Sequence, residues 1–262
     1  MADVVANGLR FNTQVLHGGE GDGPRPAVVM LHGLVADNLS SWYYTIANPV
    51  AMEADVYLYD LRGHGRSEVP GTGYTVADNV DDLAALLDHW GVDQPVHLFG
   101  NSFGGVVSLA FAHRYPERVA SLFLIEAHFA VEGWGEHMAG SLALAAFGLD
   151  EEGVQEWLDA NADRKLSRFA KRSEHLLMKT SLIDDLQREQ PYSIDWLKAI
   201  TCPTFAIYGS ESDILDRARQ LEASVPGCVL EIVPDSSHSL LMESSALMRD
   251  RALSWIRDHG AT

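Results

Sequence analysis

The chain has 262 residues, of which 47% are hydrophobic, enough for one well-filled core or a core with a modest insertion, and this excludes a wholly disordered protein. Its 37 acidic and 19 basic residues give a formal net charge of -18, which would repel phosphate backbones and anionic membrane surfaces. The N-terminus lacks the basic segment and apolar run of a secretory signal, and no later apolar run approaches the roughly 20 residues that cross a bilayer. We therefore expect a cytoplasmic protein without nucleic-acid or membrane partners.

The first residues of the chain have a pattern that predicts the edge of a sheet. Residues 4–6 and 9–16 flank Asn7 and Gly8, a pair that readily adopts the positive φ angles of a tight turn, and so predict an antiparallel hairpin. Short apolar runs follow, mostly separated by helical stretches, at residues 27–31, 56–59, 96–99, 120–125, 204–208 and 229–233. This alternation predicts an α/β fold with a mostly parallel sheet.

One helix is predicted with both of its ends. Apolar residues recur at helical spacing over residues 76–90. Thr75 and Asp78 can cap the start of this helix, and Gly91 can end it.

The alternation of strands and helices stops between residues 128 and 198, where helical patterns such as 154–161 and 166–180 follow one another without a convincing strand. We predict a core domain of residues 1–127 and 199–262 and an inserted helical lid of residues 128–198. Three bulky side chains are candidates for lining a substrate pocket, although residues of this kind also pack in a core. They are Trp42, Trp134 and Met138.

Residues 100–104 read Gly-Asn-Ser-Phe-Gly and match G-x-S-x-G between the strand at 96–99 and a helical pattern that begins near residue 106. A strand that turns sharply into a helix crowds its neighbours, so glycines are needed around an exposed nucleophile. A serine in this position can also be an ordinary helix N-cap. The strand and helix around the motif favour Ser102 as a nucleophile.

A serine nucleophile needs a base, and His238 follows the last predicted strand, which completes the chain order serine, acid, histidine. Asp213, just after the strand at 204–208, is the acid that we expect to orient the imidazole. Glu126 ends the strand at 120–125 and is the alternative acid. It could instead pair locally at the entrance of the lid or contact the substrate.

Several segments together resemble the α/β-hydrolase superfamily over nearly the whole chain. They are residues 31–34 (Leu-His-Gly-Leu), 60–67 (Asp-Leu-Arg-Gly-His-Gly-Arg-Ser), the Ser102 turn, 209–213 and His238. The resemblance implies an eight-stranded sheet flanked by helices, a lid between strands six and seven, and an oxyanion hole formed by the backbone N–H groups of Leu34 and Phe103. Residues 62–67 resemble a structural turn of that family, so His64 is left outside the predicted site.

The resemblance also narrows the reaction. Epoxide hydrolases and haloalkane dehalogenases resemble this chain but carry aspartate in place of Ser102, so we expect cleavage of a carboxylic ester, lactone or thioester through an acyl-serine. The expected partner is a small-molecule acyl substrate, free or carrier-bound, and no metal or organic cofactor is needed. Three alternatives stay open: a carbon–carbon bond hydrolase, an acyltransferase and a non-catalytic receptor. With Asn101 before the serine, residues 100–105 resemble the G-N-S-M-G-G turn of carbon–carbon bond hydrolases. That family usually has tryptophan after the catalytic histidine, where this chain has Ser239.

Overall fold

The computed structural model describes residues 2–18, 25–150 and 164–260, and the side chains of residues 149–150 and 164–169 are left out of the description. Eight strands form one sheet with the order β1-β2-β4-β3-β5-β6-β7-β8. They are β1 Ala2–Ala6, β2 Leu9–Leu16, β3 Ala27–Leu31, β4 Asp55–Tyr59, β5 Val96–Asn101, β6 Val119–Ile125, β7 Thr204–Gly209 and β8 Cys228–Val233. The predicted α/β fold is confirmed, since β3 to β8 are mutually parallel and the only antiparallel pairs are β1 with β2 and β2 with β4.

The edge of the sheet is the predicted hairpin. Asn7 and Gly8 have φ angles of 46° and 74°, the positive values that match a two-residue turn to the twist of its strands. β2 then pairs antiparallel with β4, so that Thr13 faces Tyr59.

Helices cover both faces of the sheet and bury its central strands. All five residues of β3 are buried, as expected for a parallel strand packed on two sides. The helices are α1 Leu39–Trp42, which runs through a π-helical turn at Tyr43–Ala47 into α2 Asn48–Ala51, α3 Val76–Trp90, α4 Phe103–Arg114, α5 Trp134–Asp150, α6 Arg164–Lys179, α7 Leu182–Gln187, α8 Ile194–Lys198, α9 Leu215–Ser224, α10 Leu240–Glu243 and α11 Ser245–His259.

Helix α3 has the ends that its sequence predicts. The Thr75 hydroxyl accepts a hydrogen bond from the Asp78 N–H, and the Asp78 carboxylate accepts one from the Thr75 N–H, which is a capping box. Gly91 follows the helix in the left-handed conformation, with φ 66°. A Schellman-type end of this kind satisfies carbonyls that the helix leaves without partners.

Between β6 and β7 the only regular elements among the described residues are helices, α5 to α8. The predicted helical pattern at 154–161 lies outside the described residues. The predicted division into a core and a lid of residues 128–198 stays a prediction. Within the described part of the chain, no helix combines the length and the apolar character that a membrane crossing requires.

Candidate active site

The turn between β5 and α4 places Ser102 in a strained conformation. Its φ and ψ are 51° and -115°, values that a residue with a side chain rarely adopts. The glycines make the turn possible, since a Cβ atom on Gly104 would lie 2.2 Å from the carbonyl oxygen of Leu31. The Ser102 side chain makes no capping hydrogen bond to α4, so its hydroxyl is not occupied as an N-cap.

His238 lies in the loop between β8 and α10 and joins two other side chains. Its Nε2 atom is 3.1 Å from Ser102 Oγ, and its Nδ1 atom is 3.1 Å from Glu126 Oε2. An ionised carboxylate can only accept hydrogen bonds, so Nδ1 carries the proton and Nε2 is the acceptor for the serine hydroxyl. This is the polarity that a serine nucleophile requires.

Glu126 sits directly after β6 and is fully buried. Its φ of 49° turns the chain out of the strand. Oε1 accepts a hydrogen bond from the Gly209 N–H at 2.5 Å, and Oε2 accepts one from the Ser212 hydroxyl at 2.6 Å besides the one from His238. These donors come from β7 and the loop after it, and they fix the carboxylate against the imidazole.

Asp213 does not occupy the position that the sequence predicts for the acid. Its Oδ1 atom is 4.0 Å from His238 Nδ1, beyond hydrogen-bonding distance, and its side chain is 71% exposed. The loop after β7 turns Ser212 inward toward Glu126 and leaves Asp213 at the surface. The structure therefore brings Ser102, His238 and Glu126 together and leaves Asp213 beside them.

The two backbone N–H groups predicted for the oxyanion hole belong to segments next to the nucleophile. Phe103 is the first residue of α4, where a helix leaves its N–H groups without internal acceptors. A Cβ atom on Gly33 would lie 3.3 Å from Ser102 Cβ, which places the Gly33–Leu34 segment against the serine. In the described part of the chain, the N–H groups of Leu34 and Phe103 donate to no protein acceptor.

The family model for the alpha/beta hydrolase fold matches residues 26–245. The chain belongs to the α/β hydrolase fold family. Its matched region spans β3 to the start of α11 and so includes Ser102, Glu126 and His238.

Two curated relatives match most of this α/β hydrolase. The dihydrolipoyllysine-residue acetyltransferase component of the acetoin cleaving system of Pseudomonas putida is 29% identical over 92% of this chain, which spans 65% of that protein's length, less than two thirds. A putative 2-succinyl-6-hydroxy-2,4-cyclohexadiene-1-carboxylate synthase of Bacillus subtilis is 27% identical over 93% of both chains. Among solved structures, Est816, described as an N-acyl homoserine lactone degrading enzyme, is 25% identical and has a TM-score of 0.74, with 97% of this chain and 99% of that chain covered.

A second histidine in the site of this hydrolase was missed by the sequence reasoning. The ring of His128 is 5.3 Å from the ring of His238, and its backbone N–H donates to the Ser102 carbonyl at 3.2 Å. The side chain is 7% exposed, and its Nδ1 atom has no partner among the described residues. Its position two residues after Glu126 is the only signal in the sequence.

The three candidate pocket residues are all buried. Trp42 and Trp134 are 0% exposed and Met138 is 9% exposed, and each packs in a hydrophobic cluster because its helix turns it inward. Trp42 contacts Phe99 of the sheet with ring centroids 6.4 Å apart. A cavity of about 310 Å³ has Tyr43, Tyr44 and residues of the β3–α1 loop and α6 in its wall, and the three candidates are not among its lining residues. Within the described residues, no cluster of histidine, cysteine, aspartate or glutamate is arranged to hold a metal ion.

Three buried histidines predict a strong dependence of stability on pH. Burial is the main cause that lowers the pKa of His64 and His128 to about 3 and that of His97 to about 4. In the unfolded chain these side chains take up protons near pH 6.5, so stability is present above that pH and is lost as the pH falls. We expect the free energy of unfolding to fall by roughly 4 kcal/mol per pH unit between about pH 6 and pH 4.5, or about 1.4 for each histidine. Denaturant titrations at several pH values measure this dependence of the free energy of unfolding on pH.

A matched control for this dependence is His97→Gln, which removes one of the three groups and is expected to reduce the slope by about a third. His97 pairs with Ser121 Oγ at 2.7 Å and lies outside the site. A free energy of unfolding that stays constant over the same pH range would contradict the assignment of neutral histidines.

Proposed function

We propose that this α/β hydrolase cleaves a carboxylic ester, lactone or thioester of a small molecule through an acyl intermediate on Ser102. The observation that carries the proposal is the continuous contact from Glu126 through His238 to the Ser102 hydroxyl, beside two backbone N–H groups that have no acceptor among the described residues. A buried carboxylate, an oriented imidazole and a strained serine are the three roles of a serine-hydrolase triad.

The reaction follows from this geometry. Ser102 Oγ forms a bond to the carbonyl carbon while its proton passes to His238 Nε2, and the carbonyl π electrons move to the oxygen. The N–H groups of Leu34 and Phe103 hold that oxyanion. When the intermediate collapses, the bond to the leaving oxygen or sulfur breaks and His238 returns the proton to the leaving group. Water then attacks the acyl-Ser102 by the same steps and releases the acid.

Glu126 is the acid of this mechanism. Its carboxylate accepts the Nδ1 proton of His238 and stabilises the imidazolium that forms when the serine loses its proton. Asp213, at 4.0 Å and largely exposed, adds only a solvent-screened charge beside the imidazole.

The choice of an ester-type bond has two supports. A serine nucleophile forms an acyl intermediate with esters, lactones and thioesters alike. The lactone-degrading Est816 resembles this chain over nearly the full length of both proteins. The substrate is an acyl compound, free or carrier-bound, that reaches Ser102 beneath helices α5 to α8 acting as a lid.

Acyl transfer is the second candidate function. The name of the Pseudomonas putida relative describes an acetyltransferase component, although this chain spans only 65% of that protein. Transfer and hydrolysis share the acyl-Ser102 intermediate and differ in whether water or another acceptor attacks it.

The experiment is a panel of p-nitrophenyl esters of increasing acyl length together with simple lactones. We expect turnover of at least one ester, a burst of p-nitrophenol in the first turnover, and an acyl adduct on the peptide that contains Ser102 after an acid quench. Ser108→Ala is the matched control, because this buried serine donates to the Gly104 carbonyl within α4 and has no contact with His238. A burst that is followed by turnover only after an alcohol or a thiol is added would support acyl transfer. Absence of both adduct and turnover would support a non-catalytic receptor.

A further inference from the structure

The loop between β3 and α1 contains a strained turn next to the nucleophile. Val35 has a φ of 55°, and the Ala36 N–H donates to the Leu34 carbonyl at 2.7 Å, two residues back. A turn of this kind with a positive φ is rare, and a β-branched residue is particularly unfavourable in it. Such a conformation persists only where surrounding contacts determine it.

Two side chains supply those contacts, one on each side of Leu34. The Gly33 N–H donates to Asp37 Oδ2 at 2.7 Å, and the Val35 N–H donates to His64 Nε2 at 2.8 Å. The Leu34 N–H between them has no acceptor in the described part of the chain. The two flanking amides are therefore occupied, and the amide that the mechanism needs is left free.

His64 is held as an acceptor by its own surroundings. Its ring is 3% exposed, and Nδ1 donates to the Arg62 carbonyl at 2.8 Å, so Nε2 carries no proton. Burial, reinforced by the neighbouring His32, lowers the pKa of His64 to about 3. The ring therefore stays a neutral acceptor over the whole range in which the hydrolase would work.

Asp37 connects the loop to the turn that carries the nucleophile. Besides Gly33, its carboxylate accepts hydrogen bonds from the Asn38 N–H at 2.8 Å, from the Ser41 hydroxyl and from Asn101 Nδ2 at 3.3 Å. Burial acts to raise the pKa of Asp37, but His32, the Ser41 hydroxyl and the N–H groups of Gly33 and Asn38 lower it below its ordinary value, so the group is a carboxylate. Asn101 is the residue before Ser102, and the loop and the nucleophile thus share one anchor.

We propose that Asp37 and His64 are positioning residues, which hold the strained β3–α1 loop so that the Leu34 N–H faces the oxyanion formed at Ser102. The proposal rests on the function proposed above for Ser102. It gives a role to His64, which lies in a glycine turn 29 residues along the chain from Val35. In this role both side chains act through the backbone N–H groups of Gly33 and Val35, which donate to them.

The test compares His64→Ala, Asp37→Ala and His64→Gln with His97→Ala as a matched control. His97 is also a buried neutral histidine, 2% exposed, but it lies at the start of β5, where it pairs with Ser121. The readouts are kcat and KM for a p-nitrophenyl ester and hydrogen exchange in the peptide that covers residues 31–40, with thermal unfolding as a check on folding.

We expect His64→Ala and Asp37→Ala to lower kcat by about 10- to 100-fold with KM changed by less than about 3-fold, since losing one oxyanion donor entirely costs about 100- to 1000-fold. Exchange in residues 33–36 should accelerate in both. His64→Gln should recover part of kcat, because its amide oxygen can accept the Val35 N–H. His97→Ala should leave kcat and exchange in this loop near the wild-type values even if it lowers the melting temperature.

Three results would overturn the proposal: wild-type kcat in His64→Ala and Asp37→Ala, faster exchange without any loss of kcat, or equal losses in His64→Ala and His97→Ala. Failure of the function itself is distinguishable, because the wild-type chain would then turn over no ester. In that case unchanged exchange of residues 33–36 in the variants would show that Asp37 and His64 do not hold the loop.

Discussion

Replacing Ser102 with alanine is expected to lower kcat by about 10⁵- to 10⁶-fold while leaving the fold intact. The oxygen of this hydroxyl is the atom that bonds to the acyl carbon, and it contacts His238 Nε2, whereas the oxyanion donors and the binding surface remain in the variant. Those remaining groups support a residual rate about 10³-fold or more above that in water. Steady-state and single-turnover kinetics on the best p-nitrophenyl ester measure the loss.

The variant should also melt near the wild-type temperature, because alanine loses only one hydrogen bond and leaves the strained φ of 51° unchanged. Ser108→Ala, in the helix α4 that follows Ser102, should retain kcat within about 3-fold. Retention of more than about a tenth of the activity in Ser102→Ala would exclude the acyl-Ser102 mechanism.

Glu126→Gln is expected to reduce kcat by about 10⁴-fold, the size of effect seen when the acid of a serine-hydrolase triad is replaced by its amide. All the described partners of this carboxylate, the Gly209 N–H, the Ser212 hydroxyl and His238 Nδ1, are placed to donate to it. A glutamine must point its NH₂ group at one of them, which either loses a buried hydrogen bond or forces the wrong tautomer of His238. The kinetics of the purified variant, with its melting temperature, measure the effect.

Asp213→Asn provides the matched comparison, since it makes the same chemical change 4.0 Å from the same imidazole nitrogen. We expect its kcat to stay within about 5-fold of wild type, because an exposed charge is largely screened by solvent. If Asp213→Asn lost activity by 10³-fold or more while Glu126→Gln did not, the acid would be Asp213 and the loop after β7 would rearrange in the working enzyme.

The sheet could be predicted from sequence because each strand carries its own local signal. The run at 27–31 and the capped helix at 76–90 match β3 and α3 residue for residue. The sequence signal for the Ser102 turn was equally local, since the motif, the strand before it and the helix after it lie within about 20 residues. His238 followed from chain order.

The choice between Glu126 and Asp213 could not be made from sequence. Both follow adjacent parallel strands, β6 and β7, whose ends are one strand spacing of about 4.8 Å apart, so either carboxylate could reach the imidazole. The decision depends on two loop conformations: the positive φ at Glu126 and the inward turn of Ser212. Neither conformation leaves a periodic pattern that could be recognised in advance.

The contacts of His64 and His128 could not be predicted from the sequence for a related reason. His64 binds the amide of Val35 from a different loop, and His128 lies 110 residues from His238 in the chain. Tertiary packing brings these groups together, while their local sequences read only as a glycine turn and the beginning of an insertion. The inward direction of Trp42 is likewise set by packing against Phe99.

The central claim is that Ser102 is an activated nucleophile, and intact-protein mass spectrometry after treatment with a fluorophosphonate probe tests it most directly. We expect a single adduct on the wild-type chain, located on the peptide that contains Ser102, no adduct on Ser102→Ala, and slow labelling of Glu126→Gln. Absence of labelling in the wild type, or an adduct that persists in Ser102→Ala, would contradict the account.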